Sequence, residues 1–211
     1  NSAALVFFAG FGAMLLSSVL LLTEVWHYSV LHAGVALMPG PLMAAIFAAP
    51  AGRLGGRIGQ RPVIVAGGLV FAAGFAINLT LISESPNYAG SFLPGFMIGG
   101  VGVGLVLGPL PAAATASLPP DRFATGTAVF GMARQVGSAI GVAVLVALLA
   151  DPTPPELFSR LQRGWAFALG TGVAASALAL AIGPLRAGSA RPPPRRPKSP
   201  ALTGLGTLWG P

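Results

Sequence analysis

The stretch AGRLGGRIGQRP, residues 51–62, places three arginines and four glycines between two long apolar segments. This cluster stands out because only 8% of the 211 residues are charged, whereas 54% are apolar. A soluble domain carries about 25% charged residues, so this chain lacks the polar side chains that a water-exposed surface needs. The stretch therefore predicts a polar turn between two helices that lie in a lipid bilayer.

Six apolar segments are long enough to cross a bilayer, since a helix needs about 20 apolar residues to span the hydrocarbon core. The segments are continuous, whereas a barrel strand would alternate polar and apolar residues. We therefore predict an all-α membrane protein with six transmembrane helices. The predicted spans are roughly 3–23, 33–51, 62–82, 90–112, 125–149 and 164–184.

The positions of the cations predict the orientation of these spans, because Lys and Arg are enriched on the cytoplasmic side of membranes. Nine cations fall on one predicted side and two on the other, which also holds four of the five acids. We expect both ends of this multi-pass segment to lie in the cytoplasm, with the spans in the cell (inner or plasma) membrane. The net charge of +7 does not indicate a nucleic-acid partner, because its cations sit in short gaps and in the tail. The nine are Arg53, Arg57, Arg61, Arg122, Arg186, Arg191, Arg195, Arg196 and Lys198, and the two are Arg160 and Arg163.

Residues 186–211 are rich in proline and cations and contain too few apolar residues to bury a core. We predict a disordered basic, Pro-rich cytoplasmic tail that follows a six-span unit over residues 1–185.

The glycines of the opening stretch need a reason beyond orientation. Glycine permits positive φ and close backbone approach, and arginine offers forked donors for carbonyls, carboxylates or phosphates. We predict a compact, hydrogen-bonded hairpin over Gly52–Arg61.

The same residues resemble a known family signature. Gly52-Arg53-Leu54-Gly55-Gly56-Arg57-Ile58-Gly59-Gln60-Arg61 is similar to the G-x-L-x-D-R-x-G-R-R sequence between the second and third helices of a six-helix half in the major facilitator superfamily. YSVLHAGVALMPGPLMAAIFAAPAGRL, residues 28–54, resembles the second helix of the C-terminal half of the 14-span drug:proton antiporters. The segment that contains ARQVGSAIG, residues 133–141, resembles their fourth and fifth helices. The matching signature residues are Gly52, Arg53, Leu54, Arg57, Gly59 and Arg61.

The resemblance implies that six transmembrane helices form one half, the C-terminal lobe, of a major facilitator superfamily transporter. A substrate site would lie near the bilayer midplane between this lobe and a missing N-terminal lobe. The acidic position of the signature is Gly56 here, so this turn lacks the carboxylate that helps to latch the inner gate in the family.

Two groups of residues are candidates for packing or for the cavity. Glycines four residues apart predict close helix contacts, and an alternative is a sliding surface between the fourth and fifth spans. Arg134, the one charge within a span, is either a snorkelling structural residue or a cavity residue that pairs with the other lobe. Aromatic and thioether side chains suit either lipid contact or an adaptable site for hydrophobic ligands. The glycines are Gly95, Gly99, Gly104, Gly108, Gly137 and Gly141, and the cavity candidates are Arg134, Gln135, Ser138, Phe11, Met14 and Met38.

These observations favour the C-terminal half of a proton-coupled efflux transporter for hydrophobic or cationic small molecules, inactive without its N-terminal lobe. All five acids lie in loops or at span ends, so we place the carboxylates that exchange protons in the missing lobe. The alternative is a six-span membrane scaffold or assembly protein without transport. No set of residues indicates an enzyme, a cofactor or a metal site.

Overall fold

Six long helices make up the computed structural model, which describes residues 2–115, 118–150 and 154–181. No β-strand occurs within those ranges. All six helices are long and apolar enough to cross a membrane, which confirms the predicted all-α membrane fold. The helices are α1 (Ser2–Val25), α2 (Val30–Ile58), α3 (Gln60–Leu81), α4 (Tyr88–Thr115), α5 (Phe123–Leu149) and α6 (Pro154–Ala181).

Each helix is longer than the predicted span at one or both ends, and α3 has two more residues at its start and one fewer at its end. α2 extends by seven residues past position 51, and α6 begins ten residues before position 164. The predicted connections were too long because sequence hydropathy detects only the apolar part of a helix, whereas the polar turns beyond it are also helical. Residues 182–184 of the last predicted span and the predicted tail over 186–211 lie outside the described residues.

The helices pack as an open row in the order α2, α4, α3, α6, α1, α5, in which each helix contacts the next. α2 and α5 stand at the two ends of this row. Only 17% of the most apolar window in each of these two helices is buried, against 61% in α1. The two end helices therefore present broad apolar faces that no described helix of this chain covers.

Close backbone contacts join α4 to its two neighbours through different faces. A β-carbon added to Gly100 would lie 2.5 Å from the carbonyl oxygen of Gly40 in α2, and one added to Gly102 would overlap Phe71 in α3. Small residues allow such contacts, which replace the absent hydrophobic drive between helices in lipid.

The glycines predicted from the sequence divide between these faces. Gly95 and Gly99 lie against α3, whereas Gly104 and Gly108 lie against α2. Gly137 and Gly141 of α5 approach the backbone of α1, not that of α4. The hypothesis of a sliding surface between α4 and α5 built from these glycines is therefore wrong, since they face other helices.

Aromatic side chains fill the space between α1 and α3, which face each other although α6 stands between them in the row. The Phe7 and Phe71 rings are 5.0 Å apart, and Phe71 and Phe75 are 4.8 Å apart. All three side chains are fully or almost fully buried. Aromatic pairs at this spacing add to the dispersion contacts that hold the helices together.

Arg160 of α6 hydrogen-bonds to the last backbone carbonyls of α5. Its Nη1 donates to the carbonyl oxygens of Leu149 at 3.1 Å and of Ala150 at 2.8 Å, and its Nη2 donates to Glu156 Oε2 at 2.8 Å. The last carbonyls of a helix have no partner within the helix, and a cation there also interacts favourably with the helix dipole. Arg160 therefore links α5 to α6 in addition to any effect on orientation.

We expect Arg160→Ala to lower the free energy of unfolding by about 1–2 kcal/mol, because two charge-assisted hydrogen bonds are lost at a helix end. Thermal melting of the purified chain in detergent measures the change. Arg163→Ala is the matched control, since Arg163 lies one turn further along and is exposed. Equal melting temperatures for the two variants would contradict this role.

Candidate functional site

A cavity of about 340 Å³ lies at mid-height between α1, α2 and α4. Its wall consists of apolar side chains and glycines, and no charged residue lines it. A cavity of this size suits part of a small molecule, and such a wall binds apolar groups by shape. We call it the mid-helix cavity. Its lining residues are Phe11, Met14, Leu15, Gly40, Pro41, Ala44, Ala45, Ala48, Phe96, Gly100, Val103 and Leu107.

The contact between α2 and α4 forms one wall of this cavity. Added β-carbons on Gly104 and Gly100 would lie 2.6 Å from Ala44 O and 2.5 Å from Gly40 O, so the two backbones nearly touch. Small residues recur every four positions on both helices, at 40, 44, 48 and 52 in α2 and at 100, 104 and 108 in α4. We call these two matched rows the α2–α4 seam. The seam holds α4 close to α2, and Phe96 and Val103 of α4 border the cavity beside it.

Both helices of the seam are interrupted in their regular pattern. The regular hydrogen bonding of α2 is interrupted at Met38, just before Pro39, and that of α4 at Gly108–Pro109. Proline cannot donate a backbone hydrogen bond, so each interruption follows from the sequence.

The cavity candidates from the sequence fall into two groups. Phe11 and Met14 line the mid-helix cavity, whereas Met38 is 64% exposed and does not. Arg134 and Gln135 lie exposed on α5, away from the cavity. Ser138 is half-buried against Gly12 of α1. The structure thus does not place Arg134, Gln135 and Ser138 in the cavity that Phe11 and Met14 line.

Sequence reasoning proposed Met38 of α2 for the cavity but missed the residues of α2 and α4 that line it. Pro41, Phe96 and Val103 line it but were not candidates. The available signal was the matching four-residue period of small residues in the two segments, which indicates that they pack face to face.

The glycine- and arginine-rich stretch over residues 51–62 is mostly helical, so the prediction of a compact hairpin over Gly52–Arg61 was wrong. α2 continues to Ile58, and α3 begins at Gln60, so Gly59 alone forms the turn. Gly59 has φ 97° and ψ 149°, a conformation that is nearly exclusive to glycine.

Two other glycines of the stretch, Gly52 and Gly55, serve packing and not the turn. Gly52 and Gly55 lie against Gly108 and Pro109 of α4, with an added β-carbon on Gly55 at 3.0 Å from Pro109 Cβ. Gly56 has open space around it. The position that is acidic in the family signature therefore points away from the other described helices of this chain.

The arginines of the stretch differ in burial. Arg53 and Arg57 are exposed on the last turns of α2. Arg61 is half-buried, and its Nε is buried without a hydrogen-bond partner among the described residues. The exposed pair is free to face lipid headgroups or another protein surface, whereas Arg61 borders an interior space.

We expect Gly59→Ala and Gly56→Ala to change stability in opposite directions. Alanine at Gly59 strains the backbone and costs about 1–3 kcal/mol, whereas alanine at the helical, open Gly56 stabilises by about 0.5–1 kcal/mol. Melting of the two purified variants beside the unsubstituted chain measures both changes. Equal shifts in one direction would contradict the single-residue turn.

Comparison with known proteins identifies the family. A family model described as Major Facilitator Superfamily matches residues 2–211. The chain is 33% identical over 158 residues to Multidrug resistance protein Stp of Mycobacterium tuberculosis, which covers 75% of the chain and 29% of that protein. It is 31% identical over 128 residues to Multidrug resistance protein B homolog of the same species, covering 61% of the chain and 24% of the relative. Over 138 residues it is 34% identical to Puromycin resistance protein pur8 of Streptomyces alboniger, covering 64% of the chain and 27% of the relative.

The matched region therefore spans less than a third of the length of each of these relatives. The family match covers almost the whole chain and agrees with the six apolar helices and with the signature between α2 and α3. The chain belongs to the major facilitator superfamily and is a multi-pass membrane protein of a transporter family, not an enzyme.

Proposed function

We propose that the chain is the C-terminal six-helix lobe of a proton-coupled efflux transporter for hydrophobic or cationic small molecules. The observation that carries the proposal is the mid-helix cavity, which lies at the height where transporters of this architecture hold their substrates and has an apolar wall. The resistance proteins among the relatives support an efflux role, and the fraction of their length that is matched supports a single lobe. Residues 1–185 form the lobe in this proposal, and residues 186–211 form the cytoplasmic tail.

The partner of this lobe is an N-terminal lobe that covers the end helices of the row. α2 and α5 expose apolar side chains along their length, among them Leu42, Ile46 and Val146. A second lobe bound to α2 and α5 would close the mid-helix cavity from the remaining side. It would also supply the carboxylates for proton exchange, because the mid-helix cavity has none and Glu24 is exposed at the end of α1.

Efflux of a fluorescent dye from cells that carry the lobe joined to an N-terminal lobe encoded next to it tests this function. We expect efflux that stops when an uncoupler abolishes the proton gradient, and no efflux from the lobe alone. Efflux that is insensitive to the uncoupler would contradict proton coupling. Absence of efflux, with the lobe bound stably to other membrane proteins, would favour the scaffold alternative.

We also propose that the end of the bundle at which α1, α3 and α5 begin faces the cytoplasm. We call it the lower end, and it carries Arg53, Arg57, Arg61 and Arg122. The chain contains no cysteine, so single cysteines report cleanly on sidedness. An impermeant maleimide on intact cells should label Ser85→Cys, and should label Arg57→Cys only after permeabilisation. The reverse pattern would place the lower end outside.

A further inference from the structure

A second cavity, of about 490 Å³, lies at the lower end of the bundle, between α1, α3, α4, α5 and α6. We call it the lower cavity. Two arginines border it, Arg61 at the start of α3 and Arg122 just before α5. Most of its wall is apolar, and includes Ile64, Leu110 and Phe130. The mid-helix cavity lies elsewhere, and the two share no lining residue.

The two guanidinium groups have no anionic partner in the described structure. Asp121, the one acid predicted at this end, does not line the cavity, and the ion pair formed among the described residues joins Arg160 to Glu156. The sequence after residue 181 contains no Asp or Glu side chain. Among the described residues, no Asp or Glu side chain lines the lower cavity.

The shape of the lower cavity separates its charged part from its apolar part. Phe130 follows Arg122 by eight residues, which is about 12 Å along a helix. The arginines stand at helix ends, so in a bilayer they would lie at the level of the lipid headgroups, and the apolar wall would extend into the hydrocarbon region. Guanidinium groups bind phosphate through paired hydrogen bonds, and the apolar wall fits an acyl chain.

We propose that the lower cavity binds an anionic phospholipid, with its phosphate on Arg61 and Arg122 and an acyl chain against Ile64, Leu110 and Phe130. Charge complementarity carries this assignment, because a wall with two cations and no carboxylate selects an anion. The cytoplasmic leaflet is rich in anionic lipids. If the lower end faces the cytoplasm, as proposed above, the site lies in the leaflet that contains such lipids. Arg61 Nε is buried without a hydrogen-bond partner among the described residues, so no protein group there competes with a phosphate for this guanidinium.

Native mass spectrometry of the purified full chain, with phosphatidylglycerol or phosphatidylcholine added in detergent, tests the proposal. We expect phosphatidylglycerol to be retained at least tenfold more strongly. The double substitution Arg61→Gln and Arg122→Gln should reduce that preference at least tenfold. Arg57→Gln is the matched control, because Arg57 is exposed at the same end and does not line the cavity, and it should change retention less than twofold.

Other outcomes would overturn the proposal. Equal retention of the two lipids, or an equal loss with Arg57→Gln, would indicate diffuse charge attraction without a site. Displacement of phosphatidylglycerol by inorganic phosphate at equal concentration would indicate a site for a free anion. Displacement by an acidic peptide at equal concentration would indicate a site for a protein segment.

A double Arg61→Lys and Arg122→Lys variant guards against misfolding of the Gln variant. It keeps both charges without the guanidinium fork, so it should retain phosphatidylglycerol within about threefold of the unsubstituted chain, with the same melting temperature. Loss of the preference in this variant as well, while melting is unchanged, would contradict binding through the two cations.

This inference refers to the proposed orientation only for the choice of leaflet, and the assay does not measure transport. Efflux that fails while the lipid preference persists would overturn the proposed function alone. Efflux that persists while the lipid preference is absent would overturn the lipid site alone.

Discussion

Gly104→Leu is expected to separate α2 from α4 and to collapse the mid-helix cavity. A β-carbon at this position would already lie 2.6 Å from Ala44 O and 3.0 Å from Phe47 Cβ, so a leucine has no room. One of the obstacles is backbone, which cannot change rotamer. Overpacking of this kind costs about 1–3 kcal/mol and sometimes more, and here we expect the upper end of that range. The melting temperature of the purified chain should fall by roughly 6–12 °C.

Gly170→Leu is the matched control for this change. Gly170 lies in α6, is exposed, and has open space where a β-carbon would be added. The same substitution there should leave melting within about 2 °C of the unsubstituted chain, since surface changes are usually within about 0.5 kcal/mol. If both variants melt alike, the α2–α4 seam does not hold the bundle together.

The same two substitutions, Gly104→Leu and Gly170→Leu, can be compared in an efflux assay once the lobe is joined to its N-terminal lobe. Ala44 and Gly100 belong both to the α2–α4 seam and to the cavity lining, so a change in the seam is a change in the cavity. Gly104→Leu should therefore abolish efflux, whereas Gly170→Leu should leave it unchanged. A melting defect without any loss of efflux would separate the seam from the substrate path.

The fold was largely predictable because lipid imposes a simple rule on the sequence. Each spanning helix must satisfy its own backbone hydrogen bonds and show an apolar surface, so its existence is visible in hydropathy alone. The ends were less predictable, as the stretch from Gly52 to Ile58 demonstrates. Its arginines lower hydropathy and its glycines lower helix propensity, yet the segment continues α2, because Gly52 and Gly55 pack against the interrupted part of α4. Tertiary contact decides such a segment, and propensity does not.

The candidate cavity was only partly predictable, for a different physical reason. Phe11 and Met14 were identified by residue type, and they line the cavity. Arg134 was identified by its rarity within a span, but it lies exposed on α5. Which face of a helix meets which neighbour depends on the order of the helices in the row, and uniformly apolar helices carry almost no amphipathic signal of that order. The small-residue period in α2 and α4 was the available exception.

Phe71→Ala is expected to be among the most damaging single truncations in the bundle. Phe71 is fully buried where α1 meets α3, with ring centroids 5.0 Å from Phe7 and 4.8 Å from Phe75. An added β-carbon on Gly102 would overlap its backbone, so α4 is also held closely at this point. Removal of the ring leaves a cavity that rigid helix backbones cannot fill.

The expected cost of Phe71→Ala is about 3–5 kcal/mol, from lost contacts and from the cavity that remains. Melting of the purified chain in detergent measures it, with Phe123→Ala as the matched control because that ring is 46% exposed. Phe71→Leu should recover more than half of the loss, since leucine refills most of the volume without the aromatic contacts with Phe7 and Phe75. If Phe71→Ala melts within about 2 °C of Phe123→Ala, the helices are held by their glycine contacts alone. The aromatic cluster would then occupy space without stabilising the helix arrangement. The reason would be that lipid offers an aromatic ring the same dispersion contacts as α1 and α3 do.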